Sequence, residues 1–430
     1  MMKCFFKTFG CKANQYDTER MRQEVEARGG ITVEKSEEFE VCLVNTCTVT
    51  NTADKEARKF IRKIKRDKPG VRVIVAGCSA VLRGAEYREM SEVETVVMGH
   101  DPVQVSLAAE RESELVQIQG IHEEIGSTKI RRNIPILDYR RSATRGWLKV
   151  QDGCDRNCSF CATRLARGSS RSRILQEVID EALILSEHHP EIVLTGIHIG
   201  HYGRDLECPM TLSELLHSLL EKVPETRFRL GSIEATEIDD ELLDVVVASA
   251  GQIAPHFHMP LQSGSDAVLR RMRRWHTREE YRVRALKIAE KFPYLGLGAD
   301  IITGFPGEQE KDHQETVRLV EELPYTYLHV FPFSEKDNTV AAELSGHVSR
   351  QVSRERGTQL RKIAEDKNMK YRNSRSGDLS SVTLEQEGRN AITEDYLRVQ
   401  VSGSEVRTPE RLYQGILRGT SEDLYVDIVS

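Results

Sequence analysis

The chain is predicted to be an α/β protein in three blocks: an N-terminal doubly wound parallel sheet, a central partial (β/α)6 barrel and a small C-terminal antiparallel β-barrel. Three observations carry this. Between residues 3 and 112 short apolar runs alternate with charged segments of helical period. From Gly146 to Ser334 the alternation returns with six strand-like runs, and after Gly377 it gives way to short strands broken by glycines and polar turns. A chain of 430 residues, 39% of them apolar, has material for several buried cores.

In the first block the strands are KCFFKTF, FEVCLVN and VRVIVAG, separated by the helices YDTERMRQEVEARG and TADKEARKFIRKIKRD and followed by helix, strand and helix. Cys11, Cys47 and Cys78 each follow one of the three strands directly. In an open parallel sheet the carboxyl ends of the strands share one edge, where such folds place ligands, so the three thiols are expected to meet there. Together they would hold an iron-sulfur cluster with one iron open, and Gly10 and Gly77 would let backbone approach it closely. The plainer alternative is three small core residues at strand ends. Cys4 and Cys42 lie inside strands and Cys208 lies before Pro209; these three are read as bystanders.

Residues 113–144 read as a polar linker, with Gly120, Gly126 and Pro135 as breakers and the pair Arg131-Arg132. Residues 145–372 form the second block, with strands GWLKVQ, EIVLTGIH, RFRLGS, HFHMPLQSG, GLGADIITG and TYLHVFPFS. Helices are expected over 174–188, 211–222, 238–249, 277–291 and 309–322. Within this block the stretch GCDRNCSFC sets Cys154, Cys158 and Cys161 at C-x3-C-x2-C spacing, with Phe160 placed to cover the site. The count of three matters. A structural zinc wants four closed ligands, whereas three thiolates on a cubane cluster leave one iron open for chemistry. A zinc knuckle with a distant fourth ligand is the alternative.

Barrels of this kind keep their chemistry at the carboxyl ends of the strands. There stand Thr195 and Gly196, Ser232 and Glu234, Gln262 and Ser263, and Asp300. Two basic runs, Arg164, Arg167, Arg171, Arg173 and Arg270, Arg271, Arg273, Arg274 with Trp275 and His276 beside it, are candidates for RNA phosphate contact or else solvated helix faces.

Residues 346 to about 372 read as a charged helix, and 373–430 as the small barrel, with SVTLEQ, YLRVQVSG, LYQGILRGT and LYVDIVS as its strands. Residues 371–430 hold seven Lys or Arg against ten Asp or Glu, so RNA binding there would need one face, with Tyr396, Arg398 or Arg418 on it. Net charge is −6, which confines nucleic-acid contact to local clusters. No run approaches the ~20 apolar residues of a membrane helix, no signal-type core precedes Lys12, and nine cysteines, an odd number, favour a reducing compartment. A cytoplasmic protein with no membrane partner is expected.

The segments TFGCKANQYDTE (residues 8–19), NTCTVTNTADKEARKFIRK (45–63) and AGCSA (76–80), followed by the C-x3-C-x2-C motif, resemble the methylthiotransferase family of radical S-adenosylmethionine (SAM) enzymes, over essentially the whole chain. The resemblance implies two 4Fe-4S clusters, one on Cys154, Cys158 and Cys161 whose open iron chelates SAM and splits it to a 5′-deoxyadenosyl radical, and an auxiliary one on Cys11, Cys47 and Cys78. Phe160, Thr195, Gly196, Ser232, Glu234 and Gln262 would line the SAM site. The C-terminal block resembles the TRAM module, a small RNA-binding barrel. FGCKANQYDTE resembles the branch acting on N6-threonylcarbamoyladenosine in tRNA, which implies methylthiolation of C2 at position 37, one SAM as methyl donor, a second as radical source, and an electron donor such as flavodoxin or ferredoxin. Isopentenyladenosine in tRNA and a ribosomal-protein aspartate are the alternative substrates, and a metal-stabilised RNA-binding protein without catalysis is the alternative of another class. One departure stands out: CATRLARG lacks the proline usual after the third cysteine, which leaves substrate fit at that edge open.

Overall fold

The computed structural model describes residues 1–48, 51–110, 144–385, 388–403 and 407–429; all of the expected linker except residue 144 lies outside the described residues. Contacts divide the chain into two compact units. Of the described residues, the first takes those up to 110 with Asp152–Arg156 and Cys161–Ser169, and the second takes 144–151, Asn157–Phe160 and those from Ser170 on.

In the first unit five parallel strands stand in the order Ile31–Thr32, Lys3–Thr8, Val41–Thr46, Arg72–Gly77, Thr95–Val96. The central strand VCLVNT is buried at every position, as a strand covered on both faces must be. Phe5, Cys42, Val44, Val73 and Val75 pack with Ile61 and Ile64 of helix Asn51–Asp67. On the other face Phe6, Val41, Leu43, Ile74 and Ala76 meet Met21 and Val25 of helix Lys12–Ala27 and Val105 of helix Pro102–Glu110. Cys4 and Cys42 belong to these cores, and burial pushes both thiols up to about 12. The edge strand Ile31–Thr32 is too short to leave a sequence pattern. The first helix begins at Lys12, four residues before the expected start, because Cys11 is its extended N-cap residue.

The second unit holds two three-stranded parallel sheets, Arg227–Leu230 / Glu191–Thr195 / Arg145–Lys149 and His256–His258 / Gly296–Thr303 / Tyr327–Pro332. Parallel bridges Phe228–Ile253 and Ser232–His258 join them into a partial barrel. Helices Leu175–Ser186, Leu212–Lys222, Asp240–Ala248, Arg278–Glu290 and Glu310–Glu322 follow the strands. Helices Leu212–Lys222 and Arg278–Glu290 open on capping boxes, Thr211 with Glu214 and Thr277 with Glu280, which satisfy the first free N–H groups. Helix Arg350–Arg375 leads into a closed five-stranded barrel in the order Leu379–Glu385, Asn390–Thr393, Arg398–Val401, Tyr425–Ile428, Leu412–Arg418. It departs from an all-antiparallel barrel at one place among the described residues, where Gln400 and Val401 pair in parallel with Tyr425 and Val426.

This small barrel docks on the amino ends of the larger barrel's strands. Arg227 and Arg229 alternate with Phe228 and so share the inner face of their strand. Glu191 accepts from Arg227 Nε at 2.7 Å and from Arg229 Nε and Nη2 at 2.8 Å each. The same guanidinium groups reach across: Arg227 to Thr383 Oγ1 (2.7 Å) and Ser381 O (2.9 Å), Arg229 to Glu394 O (2.9 Å) and Thr393 O (3.0 Å). Tyr396, in left-handed backbone at φ +72°, packs its ring 4.4 Å from that of His256. On the long helix, Arg375 donates to Asp395 Oδ2 at 2.9 Å, and Tyr371 to the same oxygen at 2.6 Å.

Candidate active site

The three N-terminal cysteines stand at the carboxyl ends of adjacent strands. Cys11 caps helix Lys12–Ala27, Cys47 follows strand Val41–Thr46 directly, and Cys78 opens helix Cys78–Arg88. Two helix amino termini, whose unpaired N–H groups favour negative charge, therefore begin at the thiols. Cys47 and Cys78 are buried and Cys11 is exposed. Burial pushes the Cys78 thiol up to about 12, Arg167 opposes the rise, and Cys47 and Cys11 add to it. Gly10, at φ +103°, lies so close to Cys47 that a Cβ built on it would come within 2.4 Å of that sulfur. Gly10→Ala is expected to push Cys47 out of line and to lower bound iron by the share of one cluster, read by iron and sulfide analysis after anaerobic reconstitution. Three thiols at one sheet edge, beside two helix starts, suit an anionic iron-sulfur cluster.

Sequence reasoning passed over the groups around these cysteines. Asn14 Nδ2 donates to Phe9 O and Thr46 O, both at 2.8 Å, which turns Asn14 Oδ1 towards the site. His100 Nε2 lies 3.5 Å from Cys78 Sγ and 3.1 Å from Asn14 Oδ1. His100 follows the last strand of this sheet, Thr95–Val96, as the cysteines follow theirs, so the same strand-end rule would have found it.

On the second cysteine stretch, Arg156 N–H points at Cys154 Sγ (3.4 Å) and Arg274 Nη1 at Cys158 Sγ (3.6 Å). Such N–H···S contacts stabilise thiolate ligands. All three cysteines here are half-buried and free of disulfides, as a ligand set must be. Phe160 packs edge-on to Phe305 at 6.5 Å, among Val268, Met272 and Ala341.

Thr195, Gly196, Ser232, Glu234 and Gln262 all fall at carboxyl ends of the larger barrel's strands. Gln151 accepts from the N–H groups of Ile197 (3.1 Å) and His198 (2.7 Å) and so pins the turn after Gly196. Glu234 is ion-paired with Arg274; burial raises its carboxyl above the ordinary range and Arg274 works against that rise. Gln262 adopts left-handed backbone (φ +70°) while its N–H and C=O bond Asp300 O and Ile302 N, an outlier of the kind found at ligand clamps. Ser263 is buried against Thr316 and the Ser265 N–H, a turn rather than a lining residue. Asp300 meets His258 Nε2 (3.1 Å) and His329 Nδ1 (3.2 Å), which hold its carboxyl below the usual range, and Tyr327 bridges His258 to His256.

The basic runs need correcting. Arg164 and Arg171 are exposed, but Arg173 is paired with buried Glu181 at 2.9 Å. Arg167 is a buried residue with a side chain only 1% exposed, paired with Asp17 and Asp152. In the second run Arg274 is likewise turned inward, onto Glu234, while Arg270, Arg271 and Arg273 stay exposed. A charge run on paper shows no partners, and these partners lie outside the runs, Asp17 as far as 150 residues from Arg167.

Comparison with known proteins agrees with this geometry. Residues 3–99 match the uncharacterized protein family UPF0004 and residues 148–320 the radical SAM superfamily. The chain is 33% identical over 404 residues to the threonylcarbamoyladenosine tRNA methylthiotransferase MtaB of Aquifex aeolicus, covering 94% of this chain and 97% of that one. It is 28% identical over 441 residues to the tRNA-2-methylthio-N(6)-dimethylallyladenosine synthase of Thermodesulfovibrio yellowstonii, covering 99% and 98%. The radical SAM methyltransferase TsrM of Kitasatospora setae shares the fold, with a TM-score of 0.55 at 14% identity over 77% of this chain and 73% of its own. A partial parallel barrel carrying a three-cysteine loop is thus an enzyme of the radical SAM class, which works with SAM and a 4Fe-4S cluster. Within that class the chain belongs to the methylthiotransferases and is MtaB-like. Among the described residues no helix is long and apolar enough to cross a membrane.

Proposed function

We propose that this chain methylthiolates C2 of N6-threonylcarbamoyladenosine at position 37 of tRNA, consuming one SAM as methyl donor and another as radical source, with a second 4Fe-4S cluster on Cys11, Cys47 and Cys78. The observation that carries the reading is the pair of three-thiol sets, one gathered at the N-terminal sheet edge and one at C-x3-C-x2-C spacing. Adenine C2 is not nucleophilic, so polar methyl transfer cannot functionalise it and radical chemistry is required. When bound, the clusters supply the electron that splits SAM and a site where sulfur is methylated. The protein's own residues do the rest. Arg274 holds Glu234 at the strand ends where the SAM amine would be received, Gln151 fixes the turn after Gly196, and Phe160 with Phe305 walls off water beside the cysteine loop. The exposed Arg164 and Arg171, close in sequence to that loop, would meet tRNA phosphates. The threonylcarbamoyl substrate is favoured over the dimethylallyl one by the closer MtaB relative and by the segment FGCKANQYDTE.

The test is to incubate anaerobically reconstituted protein with SAM, a reductant and tRNA bearing either nucleoside, then digest and weigh the products. A methylthio mass gain on the threonylcarbamoyl nucleoside alone is expected. Gain only on the isopentenyl nucleoside would move the enzyme to the other branch, and SAM cleavage without gain on either would point to a protein substrate.

A further inference from the structure

The geometry points to Arg167 as a positioning residue that completes the auxiliary cysteine site from the segment after Cys161, so that the site belongs to residues 152–154 and 163–169 as well as to the N-terminal sheet. The inference rests on the reading of Cys11, Cys47 and Cys78 as the auxiliary ligand set.

Arg167 ends the short helix Thr163–Arg167, six residues after Cys161. Its Nη1 donates to Asp152 Oδ1 at 2.9 Å, and its Nη2 to Asn14 Oδ1 and Asp17 Oδ2 at 2.8 Å each, with His100 Nε2 at 3.2 Å. Asn14 has no freedom to turn away, because its amide nitrogen is committed to Phe9 O and Thr46 O. The guanidinium therefore stands among the groups that touch Cys78. Its other end is anchored in the neck of the cysteine loop. There Cys154 N–H bonds Gly168 O at 3.0 Å, and Gly153, at φ +71°, lies so near Ser169 that an added Cβ would fall 1.9 Å from its carbonyl oxygen. Asp152, Gly153 and Cys154 on one side, with Arg167, Gly168 and Ser169 on the other, form a closed neck whose single long cation reaches into the auxiliary site.

Two consequences follow. A permanent positive charge beside three thiolates favours the more reduced, more negative state of whatever they hold. Any shift of the loop neck is also felt at Asn14 and Cys78 through one side chain. A lysine could supply charge but not the fork that binds Asp152 and Asp17 at once, so Arg167→Lys separates charge from geometry.

The experiment uses full-length protein in a Cys154→Ala, Cys158→Ala, Cys161→Ala background, which leaves only the auxiliary set. Redox titration followed by electron paramagnetic resonance reads the cluster's midpoint potential. Arg167→Gln is expected to lower it, Arg167→Lys to leave it near the parent value, and Asp17→Asn, which removes a negative charge, to raise it. Hydrogen exchange on cluster-free protein is read in parallel, and Arg167→Gln is expected to speed exchange in residues 78–83 as well as in 163–169. Equal potentials in all four proteins, or faster exchange confined to 163–169, would overturn the proposal. If the parent takes up no cluster, the auxiliary-ligand reading falls by itself, and the exchange of residues 78–83 still decides the role of Arg167. If Arg167→Gln does not fold, exchange at residues 78–83 in Arg167→Lys, which keeps the charge and loses the fork, decides it: faster exchange there is expected, and unchanged exchange would overturn the proposal.

Discussion

Cys78→Ala is expected to reduce methylthiolated product to background while SAM is still cleaved to 5′-deoxyadenosine. The substitution is chosen because it separates chemistry from folding. Cys78 sits at the first position of its helix, where alanine is a good residue, and its backbone is held by contacts that do not involve the sulfur. The neighbouring Ser79 Oγ is bonded to Asp54, which also accepts from Tyr87 OH at 2.8 Å and from Arg58 Nε at 3.0 Å, so the start of the helix stays anchored. What is lost is one of three thiols. In the proposed reading radical generation depends on the other cysteine set, so the two products would report on the two sites separately: mass spectrometry of digested tRNA for one and chromatography of 5′-deoxyadenosine for the other. Loss of both products would mean that Cys78 serves the whole fold, and retention of both would remove it from the ligand set.

Glu191→Ala is expected to destabilise the larger barrel by about 3–5 kcal/mol, the usual cost of leaving buried charges without their counter-ion. Against a typical total of about 5–15 kcal/mol this is severe. Glu191 is fully buried between Arg227 and Arg229, with Arg145 at 3.6 Å. Burial alone would raise its carboxyl, but Arg229, Arg227 and Arg145 together hold it well below the usual carboxylate range. The sign of the pH effect follows. A depressed carboxyl stabilises the fold at pH values above its unfolded value of about 4.3 and loses that contribution as pH falls below it. Urea midpoints followed by fluorescence of Trp147, on the strand beside Glu191, should fall steeply between about pH 5 and 3 in the wild type. Glu191→Gln should start lower and lose this group's share of the slope. Equal slopes would show that other carboxylates govern acid unfolding.

That Cys11, Cys47 and Cys78 stand at one sheet edge was legible in the sequence for a simple reason: in a parallel sheet, position after a strand converts chain order into spatial proximity. Cys11, Cys47 and Cys78 needed only that rule, and it would have extended to His100. Arg167 was illegible because nothing in ARGSSRSR distinguishes a solvated arginine from one whose partners, Asn14 and Asp17, lie some 150 residues earlier. Arg227 and Arg229 escaped for a related reason. RFRL reads as an ordinary alternating strand with its charges outward, and only the arrival of Thr383, Thr393 and Glu394 turns that face into an interior. The parallel pairing of Gln400 and Val401 with Tyr425 and Val426 was hidden by strands too short to carry a register.

The ionic seat beneath the larger barrel also bears on ancestry. A terminal domain that is merely tethered can be traded between genes, since its host loses nothing but reach. Here the host strands carry Arg227 and Arg229, which reach outward from Glu191 to hydroxyls and carbonyls of the last fifty residues. A recombinant that brought in a foreign tail would leave those arginines half-answered in a place water does not readily reach. Barrel and tail are therefore expected to descend as one heritable piece, with substitutions at Arg227 accompanied by changes at Thr383, its side-chain partner.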